Sequence, residues 1–327
     1  MPELNLLKAV NLSLRQEMQR DERVVVYGED VGYEGGVFRA TEGLQQEFGE
    51  NRCMDTPLAE SAIVGTAVGM AINGMIPVVE MQFGGFVYPA FNQIISHVAR
   101  MRNRSRGRYT LPMVIRFPYG GGIRALEHHS ESMEALFAHI PGIKVVIPST
   151  PYDAKGLLSS AIRSPDPVLF MEPKRIYRAF KQEVPEEDYQ IPLGKAKVEQ
   201  EGTDITLIAW GAMMQETRKA AAVLKEKGIS PEVIDLRTIS PYDSETLLRS
   251  VKKTGRVVIV HEEPRSFGTS SELVTMLTEK AFLYLEAPPA RVTGFSTIIP
   301  LPRGEQHYMP STQRIVKKAL ETIQFLT

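Results

Sequence analysis

The stretch DTPLAESAIVGTAVGMAINGMIPVVE, residues 55–80, decides how the first half of the chain folds. Residues 61–79 carry no charge and follow directly on one carboxylate, Glu60. The pattern predicts a helix over 60–73 and then a buried strand, because an Asn-Gly turn signal ends the helix and Pro77 cannot continue it. Helix followed by buried strand is the unit from which parallel sheets are built.

The same alternation extends outward in both directions. An apolar period of about 3.6 residues predicts a helix over 4–20, and short apolar runs predict buried strands. The remaining elements expected in this half are strands at 24–27, 77–83, 113–117, 144–147 and 168–171 and helices at about 88–104 and at 151–163. Strands alternating with helices predict an α/β fold with a mainly parallel sheet covered on both faces.

A length of 327 residues predicts two domains. The polar, proline-containing segment 181–195 is typical of a linker, and a second α/β alternation follows it. We therefore expect a first domain over 1–180 and a smaller second domain over 196–327. The elements expected in the second domain are strands at 204–209, 232–235, 256–260 and 290–293 and helices at 212–227, 243–253 and about 268–281.

Composition excludes several classes of partner. The 38 basic and 39 acidic residues leave a net charge of −1, so no global field attracts nucleic acid or an anionic membrane. The single cysteine excludes an intrachain disulfide and is typical of a reducing compartment. No basic-then-apolar signal pattern opens the sequence, so we expect a cytoplasmic protein. The helical part of 61–79 reaches only about 21 Å, too short for a membrane span.

No cofactor loop of the common nucleotide-binding kinds is present. The chain has neither GxGxxG opening a helix nor GxxxxGK[ST]. It also lacks the GDG motif with a following asparagine that binds magnesium and diphosphate in thiamine enzymes. Gly120-Gly121-Gly122 follows a strand but does not open a helix, so a nucleotide site is disfavoured here.

Glu60 allows two interpretations. As the first residue of a helix it suits the free amides and the macrodipole. Among Pro57, Leu58, Ile63 and Val64 it would also be partly withdrawn from water, and such a carboxyl can exchange a proton near neutral pH. Glycines four residues apart in the following helix would let another backbone approach one face closely.

The glycine-rich loop over 118–132 carries two adjacent histidines, His128 and His129. No third ligand stands at zinc spacing, so a metal site is disfavoured. Ser130 can act as a helix cap, and a loop histidine can act as an acid or base near pH 7.

Other polar groups have simpler interpretations: the arginine run 100–108 as a solvated helix end or a surface for an acidic partner, Glu262 and Glu263 as surface acids, Trp210 as a core aromatic and His261 as a strand-end residue.

A series of motifs in order carries a family resemblance: GEDVG, DTPLAESAIVG, EMQFGGFVYPAFNQI, GGGIRALEHHSES and PSTPYDAKGLLSSAI. Together they resemble the β subunit of thiamine-dependent 2-oxo acid dehydrogenases. VIDLRTISPYD and RVVIVHEE resemble the C-terminal domain shared with transketolases. The resemblance covers essentially the whole chain. It implies an N-terminal pyrimidine-binding fold for thiamine diphosphate and a transketolase C-terminal-like second domain.

The resemblance also implies a shared cofactor. Thiamine diphosphate would bind between two chains, with an α subunit holding the diphosphate and Mg²⁺, which accounts for the absent GDG motif. Glu60 matches the acid that hydrogen-bonds the pyrimidine ring nitrogen and so helps the cofactor lose its thiazolium proton. The enzyme would decarboxylate a 2-oxo acid oxidatively and pass the acyl group to a lipoyl group on the acyltransferase core.

Further site residues carry over one at a time. Leu58 and Gln82 match residues that line the pyrimidine pocket, and Phe86 matches the aromatic that stacks on the ring. Glu29 matches an acid near the cofactor. His129 matches the histidine near the substrate carboxylate that assists acyl transfer, whereas its neighbour has no matching role.

Relatives often bind potassium after helix 151–163 through an aspartate and an asparagine, whose places are taken here by Ser164 and Asp166. The carbonyl of Ala161 could contribute as well, so the resemblance leaves a potassium site open.

The substrate is left between two readings. HHSES and MEPKRIYRA favour the branched-chain 2-oxo acid enzyme, and TPYDAKGLL with the glycine loop suits pyruvate dehydrogenase. The expected assembly is an α2β2 heterotetramer. Two alternatives of other classes remain: a non-catalytic interaction subunit that retains the fold, and a self-sufficient transketolase-like enzyme, which the missing diphosphate motif disfavours.

Overall fold

The computed structural model describes residues 1–325, which form two compact units. The first unit comprises residues 1–119 and 136–193, and the second comprises residues 120–135 and the chain from Gly194 onward. The loop with the two histidines thus belongs to the second unit. The domain boundaries expected from composition place that loop in the first domain, and they remain a prediction.

The strands and helices follow the expected alternation. The strands are β1 (Glu3–Leu4), β2 (Val24–Gly28), β3 (Cys53–Asp55), β4 (Ile76–Glu80), β5 (Val114–Tyr119), β6 (Lys144–Val146), β7 (Val168–Pro173), β8 (Gln182–Glu183), β9 (Lys197–Gln200), β10 (Ile205–Ala209), β11 (Pro231–Asp235), β12 (Thr238–Ser240), β13 (Val257–Val260) and β14 (Ala290–Val292). The α-helices are α1 (Leu6–Arg20), α2 (Leu44–Phe48), α3 (Glu60–Ile72), α4 (Phe91–Gln93), α5 (Met101–Arg104), α6 (Glu134–Ala138), α7 (Pro151–Ile162), α8 (Met213–Glu226), α9 (Ser244–Thr254), α10 (Ser270–Ala281), α11 (Pro302–Tyr308) and α12 (Thr312–Ile323).

Six strands of the first unit form a parallel sheet in the order β6-β7-β5-β4-β2-β3. Every residue of the four central strands is buried, because a parallel sheet is covered on both faces. Gly28 pairs with Glu80 on one side and with Asp55 on the other, which aligns the carboxyl ends of three strands at one edge. The register therefore groups the loops that follow these strands.

The segment predicted as a linker has structure of its own at its start. β8 pairs antiparallel with β1, with Glu3 opposite Glu183. Residues 182–183 therefore form a strand of the first unit at the start of the segment predicted as a linker.

The prediction of a single helix over about 88–104 is wrong. A 3₁₀ segment over Gly84–Ala90 contains Pro89, and a π-turn over Ile94–Val98 follows α4. Proline lacks an N–H and cannot support a regular α-helical ladder, and the π-turn closes with a bond from Ala99 N to Ile94 O. Within residues 1–325, no helix combines the length and apolar character needed to cross a bilayer.

The second unit has its own five-stranded sheet in the order β14-β13-β10-β11-β9. All pairs are parallel except that of β9 with β11. Trp210 directly follows β10 and is 1% exposed, which confirms its interpretation as a core aromatic. Helix α12 packs beside α8 and was not expected from the sequence; the buried carboxylate of Glu216 anchors its start by accepting from Thr312 N and Oγ1.

Candidate functional site

The carboxyl edge of the first sheet gathers polar groups from consecutive loops. Glu29 and Asp30 follow β2, and Gln82 comes two residues after β4. Gln82 Nε2 donates a hydrogen bond of 2.7 Å to Asp30 Oδ2. Ligands of open α/β sheets bind outside the carboxyl ends of the strands, so this edge is the expected place for a site.

Glu60 is the first residue of α3 and only 8% exposed. Its N-cap, Ala59, makes no side-chain capping bond, so the helix begins with free backbone amides and a positive field. No hydrogen bond reaches the Glu60 carboxylate from the residues that the structure describes. The group is therefore oriented by the helix and available to a donor from outside the chain.

Glu29 is the second acid of this edge. It is 5% exposed, and its Oε1 atom is buried without a hydrogen-bond partner. Burial raises the pKa of Glu29, and the charges of Glu60 and Asp30 raise it further. Glu29 therefore favours retention of its proton, which suits a ligand that presents N–H donors and a nitrogen in need of a proton.

The aromatic side chains near this edge form a chain of edge-to-face contacts. Phe86 meets Phe83 at 5.6 Å between ring centroids and 72° between planes, and Phe83 meets Phe38 at 5.5 Å and 72°. Phe86 is partly exposed, so part of its ring remains open to a ligand.

Leu58 does not shield Glu60 in this chain. It is 78% exposed, and Pro57 is exposed too, so the expectation that both withdraw the acid from water is wrong. The burial of Ile63 and Val64 agrees with the expectation. The first two residues precede the helix and are exposed, whereas the latter two lie within it and are buried.

A buried ion network lies directly behind the edge. Arg116 donates through Nε to Glu172 Oε1 at 2.7 Å and through Nη1 to Glu80. The Tyr177 hydroxyl donates to Glu172 Oε2 at 2.6 Å. Arg116 is 1% exposed, so these charge-assisted bonds act in a region of low dielectric and hold the ends of β4, β5 and β7 in place.

In the second unit, the histidine pair forms a 3₁₀ turn over Glu127–His129. His128 is largely exposed, with its Nδ1 3.3 Å from Glu131 Oε1. His129 is half-buried, and Ser130 is 1% exposed. Among residues 1–325 no group of three or more His, Cys, Asp and Glu side chains could hold a metal ion.

Sequence reasoning missed an acid cluster in this unit. Glu262 and Glu263 are each 2% exposed, so the prediction that they are surface acids is wrong. They come two and three residues after β13, at the carboxyl end of a buried parallel strand, and that position was the signal that could have revealed them. Trp210 Nε1 donates to Glu134 Oε1 at 3.2 Å, and the indole stacks on His261 with 5.3 Å between centroids.

Burial sets the protonation of this acid cluster. It raises the pKa of Glu263 to about 7 and, with the charges of Glu263 and Glu262, holds the pKa of Glu134 well above its usual range. It lowers the pKa of His261 to about 3. His261 is therefore neutral, and its 3.4 Å approach to Glu263 is not an ion pair.

Two of the three residues named for potassium, Ser164 and Asp166, are engaged by cationic side chains. Lys144 Nζ donates to Ser164 Oγ at 2.9 Å, and Arg102 Nε donates to Asp166 Oδ1 at 2.6 Å. The Ala161 carbonyl accepts from Ser164 N at 3.2 Å. An ammonium and a guanidinium already supply positive charge here, so this set does not fit a potassium ion.

Comparison with known proteins first defines a class. Residues 3–179 match the family described as the transketolase pyrimidine-binding domain, and residues 194–315 match the transketolase C-terminal domain. A solved split-gene transketolase, described as an inactive β4 tetramer, aligns over 100% of both chains with a TM-score of 0.82 at 22% identity. The chain is thus a two-domain α/β protein of transketolase fold, as expected.

Full-length relatives narrow this class. The chain is 60% identical to the pyruvate dehydrogenase E1 component subunit beta of Acholeplasma laidlawii over 95% of each chain. It is 51% identical to the protein of the same name from Bacillus subtilis over 99% of this chain and all of the relative. The chain belongs to the β subunits of thiamine-dependent 2-oxo acid dehydrogenases, oxidoreductases that work with an α subunit. The predicted family resemblance is confirmed.

Proposed function

We propose that this chain supplies the pyrimidine half of a thiamine diphosphate site, with Glu60 holding the proton at the pyrimidine ring nitrogen. One observation carries the proposal: the Glu60 carboxylate accepts no bond from the described chain and stands beside Glu29, whose Oε1 is buried without a partner. An aminopyrimidine offers an amino donor and a ring nitrogen that gains a proton, which fits this pair.

Bound thiamine diphosphate supplies the electron-sink chemistry of 2-oxo acid decarboxylation. The chain's own residues orient the ring and manage the proton. Glu60 accepts or shares the proton of the ring nitrogen, and burial together with the charges of Glu60 and Asp30 raises the pKa of the neighbouring Glu29. Gln82 is held by Asp30 and presents its amide at the edge, and Phe86 offers an aromatic surface. Mg²⁺ and the diphosphate fall to the α subunit.

The open face of α3 supports an α partner. Ala62, Thr66 and Gly69 are exposed, recur at helical spacing and carry no charge. A small, uncharged helix face lets another backbone approach closely, and the exposed Leu58 side chain precedes it. We propose that the α subunit covers this surface in an α2β2 assembly and that Leu58 then lines the pyrimidine pocket.

For the substrate, we propose pyruvate, because relatives at 51–60% identity carry the name pyruvate dehydrogenase. The branched-chain reading of HHSES and MEPKRIYRA stays a prediction. His129 would assist transfer of the acyl group to the lipoyl group of an acyltransferase core in the cytoplasm. The substrate is tested by comparing pyruvate with 3-methyl-2-oxobutanoate in the reconstituted αβ complex. A higher kcat/KM for the branched-chain acid would overturn the proposed substrate.

The test of the site is Glu60→Gln in the reconstituted complex, with Glu50→Gln, an exposed acid of the same unit, as its control. We expect Glu60→Gln to lose nearly all turnover and to weaken thiamine diphosphate binding measured by calorimetry. Glu50→Gln should match the parent in both. Full turnover of Glu60→Gln would contradict the role of this acid. Cofactor affinity that does not depend on the β chain at all would favour a non-catalytic interaction subunit.

A further inference from the structure

The glycine-rich loop that begins at Gly120 is held by carboxylates of its own chain. Gly121 N donates to Glu262 Oε2 at 2.7 Å. Gly122 N and Arg124 N donate to the two oxygens of Glu305, at 2.8 and 2.9 Å. Backbone amides arranged in this way are what glycine loops offer to phosphate groups. Here the anions are side chains, which explains why a glycine loop occurs without a nucleotide motif.

The glycines are required for this approach of the carboxylates. Gly120 has φ +83°, and a Cβ atom there would lie 2.8 Å from Glu262 Oε1. Gly122 has φ +91°, again in the region that favours glycine. The loop is therefore built around two buried carboxylates, those of Glu262 and Glu305, which are 2% and 4% exposed.

The far end of the loop has a second anchor. Glu263 Oε1 accepts from Ala135 N at 2.7 Å, and its Oε2 accepts from Thr269 N at 2.9 Å. A backbone bond from Gly120 N to Glu131 O, 2.8 Å, closes the loop on itself. The turn with the two histidines lies between the anchors.

We propose that Glu262, Glu263 and Glu305 are positioning residues that clamp both ends of this loop and so place His129 for acyl transfer. The inference rests on the proposed role of His129. The carboxylates do not touch the reacting groups; they act by fixing the backbone that carries the imidazole. Each of these carboxyl groups satisfies backbone amides that a loop without regular secondary structure would otherwise leave unpaired.

The test uses Glu305→Ala and Glu305→Gln in the reconstituted αβ complex. The alanine variant removes both acceptors, and the glutamine variant keeps one. In Glu305→Ala we expect the amides of 122 and 124 to exchange hydrogen about tenfold faster and the kcat/KM for a lipoyl domain to fall about tenfold. Decarboxylation coupled to a dye acceptor should change by less than about twofold, because it does not use the lipoyl group. Glu305→Gln should lie between parent and alanine variant, and it serves as the test where the alanine variant fails to fold.

Glu216→Ala is the matched control. Glu216 is also a buried glutamate of the second unit that accepts two bonds from one residue, but it holds α12 and not the loop. Equal loss of lipoyl acylation in this variant, or unchanged acylation in Glu305→Ala, would overturn the clamp. His129→Ala separates the two proposals: if it acylates the lipoyl domain normally, the role of His129 fails, while the exchange rates still report whether Glu305 holds the loop.

Discussion

At the scale of single residues, the buried acids of this chain differ by their partners. Glu80 is paired with a guanidinium, Glu29 keeps an oxygen without a partner, and Glu262 accepts a backbone amide. All are at most 5% exposed. Burial is the same in each case, so the partner decides whether the acid supports the fold, awaits a ligand or fixes a loop.

Arg116→Met tests the ion network behind the candidate site. The change leaves Glu80 and Glu172 buried without their cation, so we expect the free energy of unfolding to fall by about 3–5 kcal/mol. Urea unfolding of the isolated chain measures it. The exposed Arg100→Met should change stability by less than about 0.5 kcal/mol. Equal effects of the two changes would show that the network contributes nothing.

Glu263→Gln tests the raised pKa of the second unit. The folded chain keeps the Glu263 proton up to about pH 7, whereas the unfolded chain loses it near 4.5. Between these values the unfolded state binds fewer protons, so the free energy of unfolding falls as pH rises, by at most about 1.4 kcal/mol per pH unit, and levels off above pH 7.

The free energy of unfolding, measured from pH 5 to pH 8, should fall less steeply in Glu263→Gln than in the parent. A residual slope from Glu134 should remain. The exposed Glu279→Gln should keep the parent profile. A parent-like slope in Glu263→Gln would mean that this acid is already ionised in the folded chain.

At the scale of elements, helix α3 has one buried face and one exposed face. Its apolar composition indicates a buried helix, and Ile63, Val64 and Ala67 are indeed buried. The opposite face, which includes Thr66 and Gly69, is exposed. Composition alone does not separate the two faces, because small residues serve both a core and a surface that another chain covers.

Gly69→Ala separates these two uses of the helix. A Cβ at Gly69 meets no atom within 4 Å and the backbone is helical, so we expect the isolated chain to gain about 0.5–1 kcal/mol. Association with the α subunit, measured by sedimentation, should weaken if that face is covered as proposed. Gly74→Ala also has open space but φ +92°, so it should destabilise the chain. Unchanged association in Gly69→Ala would remove this face from the proposed interface.

At the scale of the whole molecule, the candidate residues divide between two units. Glu29, Glu60, Gln82 and Phe86 lie in the first, and His129 lies in the second. Sequence reasoning predicted roles for all five through the family motifs, and these roles stay predictions. It missed the supporting acids, because a glutamate after a strand looks the same whether its carboxylate points into water or toward a loop amide.

The sequence by itself determined the α/β class, most elements and the family, because helical and strand periods, turn residues and motifs are local patterns. Only the tertiary structure decided that Glu262 and Glu305 reach a loop 141 and 183 residues away, and that Lys144 reaches Ser164. It also decided that Leu58 is exposed. Such contacts depend on how strands and helices pack in three dimensions, and no local pattern encodes that packing.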